Sequence, residues 1–173
     1  MKSHSYEFKT PFGSFCLRAT LKGLYSLERV LPLRRIHPSE SKSRIPPRIR
    51  SLLKRAAREV DAYLTGQGVD FCHFPVDWTG VGAFERRVLQ ELRKIPRGRT
   101  ESYQFLAQKA GRPKAARFVG RILHLNRLPF IVPCHRIVPK RGGLGGFSRG
   151  VRWKKRLLKI ERNGADTKGE SVS

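Results

Sequence analysis

Acidic residues are scarce in this chain of 173 residues: 13 Asp and Glu stand against 37 Lys and Arg, a formal net charge of +24. That deficit does not choose a fold, but it narrows the partners to polyanions, either nucleic acid or an anionic membrane surface. Long apolar runs are missing too. None approaches the roughly 18–20 residues that span a bilayer, and Met1 to Phe15 has no apolar signal-peptide core. The expectation is a soluble, intracellular protein with no membrane partner. Cysteine is sparse, with Cys16, Cys72 and Cys134 and no Cys-x-x-Cys pair. An odd, scattered set argues against a disulfide framework and against a zinc ribbon. No metal and no cofactor are expected.

What is present is unevenly spread. Residues 1–77 hold 14 Lys and Arg against 7 Asp and Glu, whereas residues 78–173 hold 23 against 6. The second half is therefore the better candidate for contacting phosphates. In the first half, residues 5–9 and 14–20 read as strands joined by Thr10-Pro11-Phe12-Gly13, and Leu24 to Val30 reads as a third. Residues 31–46 read as a loop. Pro47 suits the first turn of a helix running to Leu64, with Ile49, Leu52, Leu53, Ala56, Val60 and Leu64 on one face and Gly66 ending it.

Beyond Trp78 the pattern turns helical. Phe84, Val88, Leu89, Leu92 and Ile95 make a stripe stopped by Pro96-Arg97-Gly98. Thr100 or Ser102 caps a short helix, Tyr103 to Ala110. Gly111-Arg112 turns, and Pro113 suits the first position of a helix continuing from Lys114 to Leu125. Helix, glycine turn, helix is a helix-turn-helix pattern. The run Leu128 to Pro139 carries three prolines, which forbid a regular helix or a central strand, so it reads as a stiffened loop. Arg141 to Gly150 holds five glycines, Trp153 to Arg162 is a basic helix, and residues 166–173 are a tail. The expected class is α+β. A small N-terminal sheet-plus-helix domain (1–77) precedes a mostly helical domain with a helix-turn-helix and an active-site loop (78–165).

Cys134 and His135 are adjacent in the middle of that proline-braced loop. A free thiol has a pKa of about 8.5 and is a weak nucleophile near neutrality. An imidazole, directly or through one water, can take its proton, and a carboxylate can hold the imidazole in the right tautomer. Between Glu101 and the tail the only acidic residue is Glu161.

The stretch Pro133-Cys134-His135-Arg136-Ile137-Val138 resembles the active-site signature of the O6-alkylguanine-DNA alkyltransferases. Ser102-Tyr103-Gln104 with Leu106-Ala107 resembles that family's first helix of the helix-turn-helix, and Pro113 to Gly120 its recognition helix. Asn126 matches its hinge asparagine, Gly145 to Gly150 its active-site loop, and Leu157-Leu158 with Glu161 its closing helix. The resemblance covers about residues 78–162; the N-terminal part resembles the family only weakly.

The resemblance implies irreversible, stoichiometric transfer of an alkyl group from O6-alkylguanine, and from O4-alkylthymine, in double-stranded DNA to Cys134. His135 is then the base, Glu161 orients it, Tyr103 donates a proton toward the leaving guanine, and Asn126 braces the turn. The damaged nucleotide must leave the stack. Arg117 fills the vacated space, while Ala115 and Ala116 let the helix approach closely in the minor groove. Lys114, Arg136, Ser148 and Arg149 complete the DNA-binding set, with Ser148 reading the guanine edge. Arg149 stands where relatives have Gly and either contacts phosphate or narrows the pocket; Phe147 stands where many have Tyr. Thr20 and Tyr25 occupy the positions at which animal relatives bind zinc. The implied protein is a monomer, cytoplasmic and nucleoid-associated in a prokaryote or nuclear in a eukaryote. Three rivals compete: a non-catalytic alkyltransferase-like lesion binder, a helix-turn-helix regulator and a cysteine hydrolase.

Overall fold

The computed structural model describes residues 2–30, 45–140 and 142–163. Most of the expected loop at 31–46, and the tail at 166–173, lie outside the described residues. Three strands, β1 (His4–Thr10), β2 (Gly13–Thr20) and β3 (Gly23–Val30), form an antiparallel meander in that order. The first turn closes through a side chain: Thr10 Oγ1 donates to Gly13 O at 3.0 Å and accepts from Phe12 N at 3.1 Å. Gly23 has a φ of 140°, and a Cβ there would collide with the Pro75 carbonyl. Its bareness lets the segment before Asp77 lie along the sheet, with Leu24 N donating to Pro75 O at 2.9 Å and Asp77 N to Leu24 O at 2.8 Å.

Helix α1 (Pro47–Leu64) begins with proline in its first turn, as expected. It lays Ile49, Leu53, Ala56, Val60 and Tyr63 on the sheet, while Arg48, Arg50, Lys54, Arg55 and Arg58 face outward. Helix α2 (Ala83–Arg93) precedes a two-residue strand, β4 (Glu101–Ser102), and α3 (Tyr103–Lys109). Ser102 is the cap of α3, its hydroxyl accepting from Phe105 N at 3.1 Å.

Helix α4 (Ala116–His124) starts later than expected. Pro113 and Lys114 form a turn instead. Ala115 N bonds Arg112 O at 3.0 Å, and Gln104 Nε2 bonds Pro113 O at 2.7 Å, which consumes the carbonyl a helix starting there would use. Cys134–Arg136 form a 3₁₀ turn leading into β5 (Ile137–Val138), which pairs in parallel with β4. Helix α5 (Val151–Asn163) closes the described chain.

The α+β class holds, and one contiguous apolar core runs from Leu17 and Leu27 of the sheet through α1 to Leu92, Val119, Ile131 and Leu157. Two arginines stitch the halves by donating to backbone carbonyls. Arg93 bonds Phe71 O, Cys72 O and Phe74 O. Arg97 bonds Gln67 O, Gly66 O and Ile160 O, tying the end of α1 to α5.

Candidate active site

The segment before Cys134 is bent by Phe130, the only non-glycine with positive φ (71°) among the described residues. Such a conformation persists only when its surroundings over-determine it. Here Phe15, Tyr63 and Trp153 pack round the Phe130 ring at centroid distances of 6.0, 5.9 and 6.2 Å. Asn126, just beyond α4, braces the same turn from the other side. Its Nδ2 donates to Val132 O at 2.8 Å and to Cys134 Sγ at 3.2 Å, and its Oδ1 accepts from Leu128 N at 3.0 Å.

Cys134 is 6% exposed and opens into a cavity of about 140 Å³ lined by Tyr103, Gly120, Leu123, His124, Gly146, Phe147 and Ser148. Burial pushes its thiol up; the Asn126 hydrogen bond and the charges of Arg149 and Lys154 only partly offset this. Burial therefore favours the protonated thiol over the thiolate.

His135, next to Cys134 in the chain, is completely buried. Its Nε2 lies 2.8 Å from Glu161 Oε1, so the ionised carboxylate accepts an Nε2–H. That tautomer leaves Nδ1 with a lone pair, and Nδ1 is buried with no partner among the described residues. Burial lowers the imidazole's pKa despite the carboxylate, keeping it neutral. Burial alone would raise Glu161, but the hydrogen bonds and charges of His135 and Arg136 hold its carboxyl far below the usual range.

Both shifts carry one sign. Below a pH of about 6.5, the imidazole's value in an unfolded chain, the unfolded state takes up a proton that buried His135 refuses, so stability falls as pH drops through that point. Glu161 contributes stability that is present above the unfolded carboxyl value of about 4.3 and is lost as pH falls toward its own lower one. Urea unfolding at several pH values should show the loss begin near pH 6.5 and steepen below pH 4.5; equal stability at pH 7.5 and 5 would contradict the assignment.

Tyr103, the first residue of α3, borders the cavity between two bare positions. Gly120 lies opposite its ring, and Gly145, where a Cβ would strike Pro139, sits beside its hydroxyl. Burial, and then the charge of Cys134, raise its pKa, which keeps the phenol a donor. Ser148 is exposed on the rim. Arg117 and Lys114 are exposed at the start of α4, with Ala115 and Ala116 half-buried beside them.

One expected DNA contact is corrected. Arg136 is 5% exposed and points inward: Nε and Nη2 grip the Glu161 carboxylate at 2.8–3.2 Å, and Nη1 donates to Ile95 O at 2.6 Å. A buried carboxylate needs a buried counter-charge, and Arg136 supplies it. Arg149 is half-buried: it donates one hydrogen bond to Leu27 O at 3.2 Å and lines a groove between the sheet and the end of α4.

Two residues were not foreseen. Tyr63 of α1 donates to Glu161 Oε1 at 2.8 Å and lies 3.1 Å from His135 Nε2. Lys154 is fully buried and donates to Ile137 O at 2.5 Å, bringing a cation close to the sulfur. Tyr63 ends the stripe Ile49-Leu53-Ala56-Val60-Tyr63, where a phenol reads as one more apolar member, whereas Lys154 shares a face with Leu157, Leu158 and Glu161, and a charged group at such a position is a readable signal.

Residues 83–163 match the family described as 6-O-methylguanine DNA methyltransferase, DNA binding domain. The chain is 37% identical over 109 residues to the methylated-DNA–protein-cysteine methyltransferase of Methanothermobacter thermautotrophicus, covering 63% of this chain and 61% of that one. It is 31% identical over 157 residues to the Methanosarcina barkeri protein of the same name, covering 90% and 94%. It also resembles the solved structure of Mycobacterium tuberculosis OGT in complex with DNA, with a TM-score of 0.72, 30% identity, and coverage of 93% and 94%.

Proposed function

Because the chain belongs to the methylated-DNA–protein-cysteine methyltransferases, we propose that it repairs DNA by direct reversal, moving the alkyl group of O6-alkylguanine, and of O4-alkylthymine, onto Cys134. The observation that carries this reading is the sulfur at the edge of a small cavity, with Asn126 N–H on it and a neutral, Glu161-anchored imidazole adjacent in the turn.

The thiol proton passes to His135 Nδ1 through one water. Sulfur attacks the alkyl carbon in line, an S–C bond forms and the C–O6 bond breaks. Tyr103 gives the departing guanine a proton and regains one from solvent, His135 releases the thiol's proton to solvent, and the net result is that thiol and alkylguanine become thioether and guanine. The S–C bond is not hydrolysed, so each protein acts once.

A base inside the duplex cannot bring its O6 substituent to a sulfur that is 6% exposed, so the nucleotide flips out, at a cost of a few kcal/mol. Exposed Arg117 takes its place in the stack, and the small Ala115 and Ala116 admit α4 to the minor groove. The protein acts as a monomer with two domains, 1–77 bracing 78–165. Among the described residues no helix is long and apolar enough to cross a membrane. Work on the host's DNA places it in the cytoplasm with the nucleoid, or in a nucleus.

Incubation with duplex DNA bearing O6-methylguanine, followed by intact-protein mass measurement, tests this. One added methyl on Cys134, with the reaction stopping at one per protein, is expected; Cys134→Ala should bind the lesion and stay unmodified. Unmodified parent protein bound tightly to the lesion would make it a lesion binder, and repeated turnover would make it a hydrolase.

A further inference from the structure

Beside the cavity lies a second, open groove of about 510 Å³ between the sheet and the end of α4. It shares His124 and Ser148 with the cavity that holds Cys134, so the two adjoin there. Three guanidinium groups line it, those of Arg18, Arg127 and Arg149, against one carboxylate, Glu28.

Two of its polar groups have no partner among the described residues. Ser26 is 4% exposed and its Oγ has no partner; Arg18 Nε is buried and also has none. The two residues are paired across β2 and β3, at the point where the register shifts between Arg18 and Ala19. A bulge of this kind re-aims side chains, and here it sets a hydroxyl and a guanidinium side by side on the face away from the core. A buried hydroxyl and a buried N–H left unbonded cost stability unless a ligand satisfies them.

Arg127 is held for the same purpose. Its guanidinium lies over the Tyr25 ring at 4.3 Å and, among the described residues, donates once, to Thr79 O at 3.3 Å. Hydroxyl and guanidinium donors with a net positive charge suit a ligand made of acceptors only, such as a phosphodiester oxygen pair.

We infer that this groove is a phosphodiester site for the lesion-bearing strand, built by the N-terminal sheet. The inference rests on the proposed function. A nucleotide turned into the cavity keeps its two phosphates, and these must emerge at the mouth bounded by His124 and Ser148, one step from Arg18, Ser26 and Arg127. The sheet then does more than brace the other half, because it grips the strand that has been pulled out of the duplex.

The test compares two substrates, duplex DNA carrying O6-methylguanine and the free base O6-benzylguanine, which has no phosphate. The rate constant for Cys134 alkylation is measured for the parent protein, Arg18→Ala, Arg18→Lys and Ser26→Ala. Arg18→Ala should lose roughly tenfold more on the duplex than on the free base, and its salt dependence should be shallower by about one phosphate contact. Arg18→Lys should recover part of the loss. A single methylphosphonate at one linkage flanking the lesion should slow the parent protein by a similar factor while leaving Arg18→Ala indifferent.

Equal losses on duplex and free base would mean a merely structural role and would overturn the inference, as would an Arg18→Ala protein matching its parent on the duplex. Slowing of the parent's free-base reaction by added inorganic phosphate, with no methylphosphonate effect, would assign the groove to a free anion instead. A parent protein inert to both substrates would overturn the proposed function and the groove together.

Discussion

Glu161→Ala should cost about 3–5 kcal/mol of folding stability, a large share of the 5–15 kcal/mol typical of a domain, and should abolish measurable alkyl transfer. The carboxylate is fully buried and joins four elements. It accepts from His135 and Arg136 of the 3₁₀ turn, from Tyr63 of α1, and from Gly98 N at 3.1 Å. Its removal leaves a buried guanidinium without a counter-ion, the costlier half of a broken ion pair. It also frees the imidazole to rotate or change tautomer. Urea unfolding of parent and variant measures the first effect, and intact-protein mass after exposure to alkylated duplex measures the second. A stability loss under 1 kcal/mol would mean that water reaches the pair and that the site is far looser than described. Replacing Arg136 as well, by Met, and Glu161 by Leu should restore much of the stability without restoring transfer, because the stranded charge is gone but the imidazole's anchor is too.

His135→Gln should slow alkylation by about 10²–10⁴-fold, the usual contribution of a positioned general base, while the fold survives. A glutamine amide can still donate to Glu161, but it cannot take a proton. The pH profile separates this from a packing defect. In the parent, burial keeps the imidazole neutral below its ordinary range, so the rate should be nearly flat through pH 6–8. In the variant the thiolate must form by loss of its proton to solvent, and burial has pushed that thiol up. Its rate should then climb about tenfold per pH unit across the same range. A flat profile in the variant, or a rate within threefold of the parent, would remove His135 from the proton path.

How much of this could be read in the chain itself depends on the residue. The bounds of α1 were legible because proline at one end, glycine at the other and a regular apolar stripe agree. Cys134, His135, Asn126 and Glu161 were legible as a set because the spacing of a whole family's motifs carried them. Arg136 was misread: in so basic a chain an arginine next to the motif looks like one more phosphate contact. Only the folded chain brings it to Glu161, 25 residues on, where an ionised carboxylate without water demands a partner. Pro113 was misplaced for a local reason, since the same residue suits the first turn of a helix and the turn before it, and a hydrogen bond from Gln104 decides between them. Tyr63 was hidden in plain view: a phenol reads as one more apolar member of its stripe, and its acceptor lies 98 residues away.

The position of Glu161 on the last described helix sets an order of events during synthesis. While α5 is still inside the ribosome, the emerging polypeptide already carries the thiol and the imidazole, but the imidazole has nothing to fix its tautomer. On the proposed chemistry, the nascent polypeptide then has no anchored base until translation has passed Glu161 and α5 has docked.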